Sequence, residues 1–236
     1  MAGHVEYCPI AVGVEILGDR WTPLVIRELS VGATGFNEIA RGLPRLSRTL
    51  LSQRLRMLER RGLVWKEQAP RGQQVRYSLT ASGAALSSVV WSLGQWAAEW
   101  TFGDPTDEEC DGLTLMWRLH QCANPGALPA ERTVVHLVLT GPGAAQGWLD
   151  IADGVVTVCQ EEPAREPDLV IEGPTSAMHR WLMSVATFRE LRMSGQVRLT
   201  GPAGLVRQFP DWFITSMFAE SLGRAKQRQD QEAVPA

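Results

Sequence analysis

Between Ser47 and Gly62 the chain carries a segment that permits very few shapes. Leu51, Leu55 and Leu58 recur at helical spacing and form one apolar stripe. Ser47 stands where a hydroxyl accepts from the first free backbone N–H groups of a helix, and Gly62 where a glycine ends one. Arg60 and Arg61 in the last turn suit the negative end of the helix dipole. Ahead of this segment, Phe36-Asn37-Glu38-Ile39-Ala40 predicts a shorter helix that breaks at Gly42-Leu43-Pro44. Behind it, two strand-like runs, Leu63 to Gln68 and Gln74 to Leu79, flank Ala69-Pro70-Arg71-Gly72-Gln73. The order is helix, turn, helix, hairpin.

The face opposite the leucines says what such a unit is for. At about 100° per residue, Thr49, Gln53, Arg56 and Arg60 fall there, flanked by Arg48 and Ser52. Arg54 falls at the edge of the apolar arc and is left out of the reading set. Arg and Gln make paired hydrogen bonds to base edges in the major groove, and Ser and Thr reach edges or phosphates. From Arg41 to Arg76 there are ten basic residues and two acidic ones, an excess that suits a phosphate backbone. The bland alternative is a solvated basic helix packed on a hairpin. The helix-turn-helix spacing and the Arg in the Pro-Arg-Gly turn favour a winged helix-turn-helix that binds double-stranded DNA. Its expected contacts are Arg45, Ser47, Arg48, Thr49, Ser52, Gln53, Arg56 and Arg60 from the helix and its approach, and Arg71, Gln73 and Arg76 from the wing.

At 236 residues the chain has room for two ordinary domains, and 44% hydrophobic residues suffice for real cores. The net charge of −3 does not suggest a DNA binder, but the halves differ. Residues 1–102 hold 12 Lys and Arg against 8 Asp and Glu; residues 103–236 hold 11 against 18. That asymmetry predicts two modules with different partners. Cys8, Cys110, Cys122 and Cys159 are scattered without a Cys-x-x-Cys and do not suggest a disulfide framework. No apolar run nears the ~18 residues of a membrane span, and no secretory signal pattern opens the chain. The expectation is a cytoplasmic protein with no membrane partner.

Pro9 to Leu17 predicts a short helix stopped by Gly18, and Asp19 is expected to cap a helix from Arg20 to Ser30. Several short stretches then carry a family likeness: Cys8-Pro9, Leu17-Gly18-Asp19-Arg20-Trp21-Thr22, Arg27-Glu28-Leu29, Phe36-Asn37-Glu38-Ile39, Leu46-Ser47, Leu55 to Leu63 and Tyr77 to Gly83. In this order they resemble the HxlR-type winged-helix transcription regulators over about Cys8 to Trp100. The resemblance implies a homodimer on pseudo-palindromic operator DNA. A helix from Ala84 to Trp100 follows, and in this family such a helix commonly joins the N-terminal helix in the dimer interface. Trp91, Trp96 and Trp100 exceed what a small core absorbs, which favours that role over an intramolecular cap.

Residues 1–102 are therefore read as a DNA-binding and dimerisation domain, and the acidic, Pro- and Gly-containing 103–112 as a linker. Residues 113–222 are read as a second domain, and 223–236 as a polar tail. Leu113 to Cys122 predicts a helix; strands are expected at Thr133–Thr140, Gly147–Ala152, Gly154–Gln160 and Asp168–Glu172, with a two-residue turn at Asp153-Gly154. Helices are expected at Thr175–Val185 and Thr187–Met193, then a strand at Gln196–Thr200 and a helix from Leu205 to Leu222 interrupted by Pro210. The fold class is α+β, with an antiparallel meander and helices on one face. Pro167 to Gly173, the helix at Thr175 and Met193-Ser194-Gly195 to Gly201 resemble the sterol carrier protein type-two-like fold. That resemblance implies a pocket for a hydrophobic small molecule. Trp181, Leu182, Val185, Phe188, Leu191, Trp212, Phe213 and Met217 are its candidate lining, although each taken singly reads more readily as ordinary core than as pocket wall.

No catalytic constellation is present: there is no Gly-x-Ser-x-Gly, phosphate loop or dinucleotide fingerprint. The four histidines have no metal-ligand spacing beyond a weak His120-Gln121-Cys122, so neither metal nor cofactor is expected. Asp150 and Asp153 are turn residues. Cys8 precedes a helix N-terminus, which favours thiolate, and several HxlR-type proteins sense oxidants near this position. Burial as a small apolar residue is the competing reading. The sequence thus predicts a dimeric, ligand-responsive transcription regulator; the alternatives are a redox sensor through Cys8, or a lipid carrier or enzyme using the C-terminal domain.

Overall fold

The computed structural model describes residues 6–67, 74–215 and 217–232, with side chains assigned as far as 228. The chain divides into two compact units, residues 1–93 and 94–236, and the division falls inside one helix.

The first unit holds α1 (Pro9–Leu17), α2 (Thr22–Ser30), α3 (Phe36–Gly42), α4 (Arg48–Arg60), β1 (Val64–Glu67), β2 (Arg76–Leu79) and the start of α5 (Ala81–Trp100). Leu51, Leu55 and Leu58 of α4 are fully buried against Val25, Ile26, Ile39 and Leu63, as their spacing predicts. The helix expected from Arg20 begins two residues later. Asp19 accepts from the backbone N–H groups of Trp21 (2.9 Å) and Thr22 (3.0 Å) and from the Thr22 hydroxyl, bracing the turn ahead of α2, whose N-cap position is Trp21 rather than the expected Asp19. Gly42 ends α3 against Glu28, which is fully buried and paired to Arg27 at 2.6 Å. A Cβ at residue 42 would stand 1.9 Å from the Glu28 Oε2, so any larger residue there requires the buried Glu28 carboxylate to move. β1 and β2 form an antiparallel hairpin, Val64 opposite Leu79 and Glu67 opposite Arg76. Thr80 closes it: its hydroxyl donates to the Gly62 carbonyl (2.7 Å) and accepts from the Gly83 N–H (3.0 Å), starting α5 three residues before the expected Ala84.

The second unit holds the end of α5, α6 (Gly112–Gln121), β3 (Thr133–Thr140), β4 (Ala145–Ala152), β5 (Val155–Cys159), β6 (Leu169–Pro174), α7 (Thr175–Leu182), α8 (Phe188–Met193), β7 (Arg198–Thr200), α9 (Ala203–Gln208), a 3₁₀ turn (Phe209–Trp212) and α10 (Ala219–Glu232). Its sheet runs β5-β4-β3-β6-β7. The expected antiparallel meander is corrected at the centre, where β3 pairs with β6 in parallel, Val135 opposite Leu169 and Leu137 opposite Ile171. The hairpins β3-β4 and β4-β5 build outward on one side, and β6 returns to the free edge of β3 rather than adding to β5. Asp168 anchors the return: its N–H donates to the Val134 carbonyl and its carboxylate accepts from the Val134 N–H, both at 2.8 Å. The Asp153-Gly154 turn is as expected, with φ of 51° and 73°, joining Ala152 to Val155.

Leu115, Met116 and Leu119 of α6 pack with Val135, Leu137, Leu149 and Ile171 on one face of the sheet, together with side chains of α7, α8 and the 3₁₀ turn. α7 stops at Leu182, short of the expected Val185, because Ser184 takes φ 63° and turns the chain. β7 starts at Arg198, since Gly195 (φ 74°) and the Val197 N–H donating to the Leu191 carbonyl hold 195–197 in a turn. The helix expected over Leu205–Leu222 is two helices separated by the 3₁₀ turn and residues 213–218, and the polar segment after Gly223 continues α10. No helix among the described residues is long and apolar enough to cross a membrane.

Residues 110–112, expected within a linker, are docked. The Gly112 N–H donates to the Gly143 carbonyl (2.9 Å), and Asp111 caps α6 by accepting from the Thr114 N–H (2.7 Å). The Asp111 N–H meets Nε2 of His179 at 3.4 Å, which requires that nitrogen unprotonated. Burial lowers the His179 pKa below its ordinary 6.5. A histidine depressed in the folded state contributes stability above its unfolded pKa and loses it as pH falls through that value, because the unfolded chain then takes up the proton. Unfolding midpoints of the second unit are therefore expected to drop between pH 7 and pH 5, and to drop less in His179→Asn. A pH-independent midpoint over that range would contradict this assignment.

Candidate nucleic-acid interface

α3 and α4 are joined through Leu43–Ser47, and the Leu46 N–H donates to the Leu43 carbonyl at 2.9 Å. Ser47 caps α4, its hydroxyl accepting from the Leu50 N–H at 3.2 Å. α4 buries Leu51, Leu55 and Leu58 and leaves Arg48, Thr49, Gln53, Arg56 and Arg60 exposed, with Ser52 half-buried beside them. Thirteen residues at ~1.5 Å each make a rod of about 20 Å. One long side of it is polar and cationic.

Not every expected side chain is equally available. Arg48 donates to the Asn37 Oδ1 at 2.7 Å and stacks over the Phe36 ring at 5.0 Å, so it ties α4 to α3. Arg56 donates to the Ser52 hydroxyl at 2.9 Å across one turn, which preorders both on the exposed face. Arg54 pairs with Asp19 at 3.3 Å, which explains why it does not belong to the reading face. The Asp19 carboxyl lies below its ordinary range: burial pulls it upward, and the Thr22 hydroxyl, the Trp21 and Thr22 N–H groups and Arg54 together outweigh that. Arg45 lies exposed before the cap, and Arg76 is exposed on β2, where its backbone bridges Gly35. Arg71 and Gln73 lie outside the described residues.

Trp65 was not singled out by the sequence, yet it is 68% exposed on β1. It sits opposite Ser78 on the hairpin face that also carries Glu67 and Arg76. Alternation along β1 holds the only sequence signal for it: Val64 points inward, so Trp65 points out.

The residues expected to line a pocket in the second unit are mostly packed against one another. Trp181, Leu182, Phe188, Leu191, Trp212 and Phe213 are all buried. Trp181 lies 4.9 Å from Phe188 and 5.9 Å from Phe213 between ring centroids, and Phe209, absent from the expected set, touches all three at 5.3–5.6 Å. Met217 is exposed and Val185 half-buried. An open cleft of about 780 Å³ does exist, and of the expected set only Val185 and Leu191 line it. Among the described residues no three His, Cys, Asp or Glu side chains are grouped to hold a metal.

Comparison with known proteins bears on the first of these two regions. The model of the HxlR-like helix-turn-helix family matches residues 16–104. The uncharacterized HTH-type transcriptional regulator YvaP of Bacillus subtilis is 39% identical over 97 residues, covering 40% of this chain and 90% of that protein. The HTH-type transcriptional regulator YodB of the same organism is 34% identical over 106 residues, covering 44% and 93%. The solved structure of the reduced form of YodB covers 41% of this chain and 96% of its own at 33% identity, with a TM-score of 0.36.

Proposed function

The chain belongs, through residues 16–104, to the HxlR-like helix-turn-helix family of transcription regulators, and from that premise we propose that it works as a homodimer on operator DNA, under control of a small molecule taken by the second unit. The observation that carries the DNA reading is the uncovered face of α4. Thr49, Gln53, Arg56 and Arg60 remain exposed while the leucines behind them are fully buried. A rod of that width enters a major groove, with Gln53 and Arg56 meeting base edges and Arg60 and Arg45 meeting phosphates. The test is titration of duplex DNA at several salt concentrations. Affinity should fall steeply as salt rises, with a shallower slope in Arg60→Ala; a salt-independent affinity would rule the interface out.

Support for dimerisation comes from two helices. α1 is apolar but buries no residue fully, and Ile10 and Val14 are exposed at one-turn spacing, with Tyr7 just before it. α5 leaves Val89, Leu93, Trp96 and Trp100 exposed along its length. Apolar faces of this kind are characteristic of subunit interfaces. The second unit supports a sterol-carrier-like reading only in outline, through a sheet with helices on one face and the Ser194-Gly195 turn before β7. The packed aromatic core argues against an enclosed apolar tunnel among the expected residues.

Cys8 supports a second reading, control by thiol oxidation. It occupies the N-cap position of α1 and is half-exposed, whereas burial raises the Cys110 and Cys122 thiols above their ordinary range. With effector control the principal device, Cys8→Ser should retain DNA binding and effector response. An operator complex released by mild peroxide in wild type but not in Cys8→Ser would make thiol control the principal device instead.

A further inference from the structure

The open cleft of about 780 Å³ is walled by α7 and its following turn, by α8, by α10 and by Phe102–Asp104. We propose that it binds an amphipathic organic monoanion, a carboxylate on an apolar body, whose head group displaces Asp104 from Arg180. This names the effector site and ligand class within the effector reading of the second unit, and rests on that reading.

The head-group site follows from the charges. Arg180 Nε lies 2.8 Å from the Asp104 Oδ1, with the Asp104 side chain 69% exposed and the Arg180 side chain 33%. An ion pair to so exposed a carboxylate contributes little, so another carboxylate replaces it at small cost. Glu190, the other acid on the wall, accepts from the Thr187 N–H (2.7 Å) and hydroxyl (2.9 Å) as the capping box of α8, and the charges of Lys226 and Arg180 also act on it. Lys226 adds a second cation at the rim. A monoanion that releases Asp104 thus gains a planar guanidinium suited to a carboxylate.

The body of the ligand has its own place. Val185 and Leu222 are half-buried in the walls and Phe102 is half-exposed beside them. Gly223 leaves room on the α10 side, where a Cβ would meet nothing within 4 Å. The α10 wall is fixed: Arg224 Nε donates to the Glu99 Oε2 at 2.8 Å, and the Arg228 guanidinium lies 3.8 Å from the centre of the Trp100 ring. Phe102 lies two residues beyond Trp100, so a ligand in the cleft touches the segment that leaves α5 and the helix clamped to its last turn.

The experiment is calorimetric titration of the full chain, without DNA, with sodium decanoate below its micelle concentration and with decanol as the uncharged analogue. Decanoate is expected to bind at one saturable site and decanol more weakly. Asp104→Asn, which removes the competing carboxylate from an exposed position, should tighten decanoate about two- to fivefold, the worth of an exposed pair, and leave decanol unchanged. Arg180→Gln should weaken decanoate about tenfold, and Gly223→Trp should abolish both by filling the cleft. Equal decanoate affinity in wild type and Asp104→Asn would overturn the proposal, as would unaltered binding in Gly223→Trp or decanol binding as tightly as decanoate. Because no DNA is present, such a failure leaves the α4 interface standing, and failure of the interface leaves this result intact.

Discussion

Ile10→Glu combined with Leu93→Glu is expected to convert the proposed homodimer to a monomer and to lower operator affinity at least about 100-fold. Ile10 is 76% exposed and Leu93 54% exposed, so neither change opens a core cavity or buries a charge within the protomer. In a symmetric dimer each substitution is present twice, and a two-fold interface brings equivalent patches together. Four added carboxylates then face one another across an apolar contact, and desolvating them without partners is costly. The loss in DNA binding follows because the two half-sites are no longer engaged by one particle, and the gain from linked binding is typically 10²–10⁴-fold. Light scattering gives the mass, and circular dichroism should show wild-type helix content. A dimer of unchanged stability in the double variant would place the subunit contact elsewhere.

Gln53→Ala and Arg56→Ala are each expected to weaken operator binding by about 1–3 kcal/mol, which is the usual worth of a good base contact. Both side chains project from the exposed face of α4, so the folded protein should be equally stable. Arg56 also donates to Ser52 at 2.9 Å, so its removal frees the Ser52 hydroxyl as well. The two losses are therefore not expected to add fully in the double variant, since neighbours on one face couple. Arg54→Ala is the internal control. It breaks the 3.3 Å pair with Asp19 and should lower stability while leaving base preference unaltered.

What was legible in the sequence was what repeats over short distances. The leucine stripe of α4, the Ser47 cap and the Asp153-Gly154 turn are each set by residues within one or two turns of one another. What failed depended on partners far along the chain. β6 passes over the open edge of β5 and lies parallel to β3, a pairing with no local mark on Leu169–Pro174. The end of α7 is set by Ser184 at φ 63°, where no glycine advertises a left-handed residue. α10 reads as a polar tail because the contacts of Arg224 and Arg228 with Glu99 and Trp100 reach far back along the chain. The candidate site divides the same way. The exposed face of α4 follows from periodicity, but the engagement of Arg48 with Asn37 and Phe36 does not. Aromatic composition likewise could not tell that Trp181 and Trp212 fill the second core rather than line a pocket.

The central claim, that the uncovered face of α4 reads DNA, is tested most directly by selection from a random duplex library with wild type and with Arg56→Ala. Wild type is expected to enrich an inverted repeat whose half-site centres lie about one helical turn, ~34–36 Å, apart. Arg56→Ala should enrich the same repeat with preference relaxed at one symmetric pair of positions. Enrichment of an identical motif by both proteins, with equal information at every position, would contradict it.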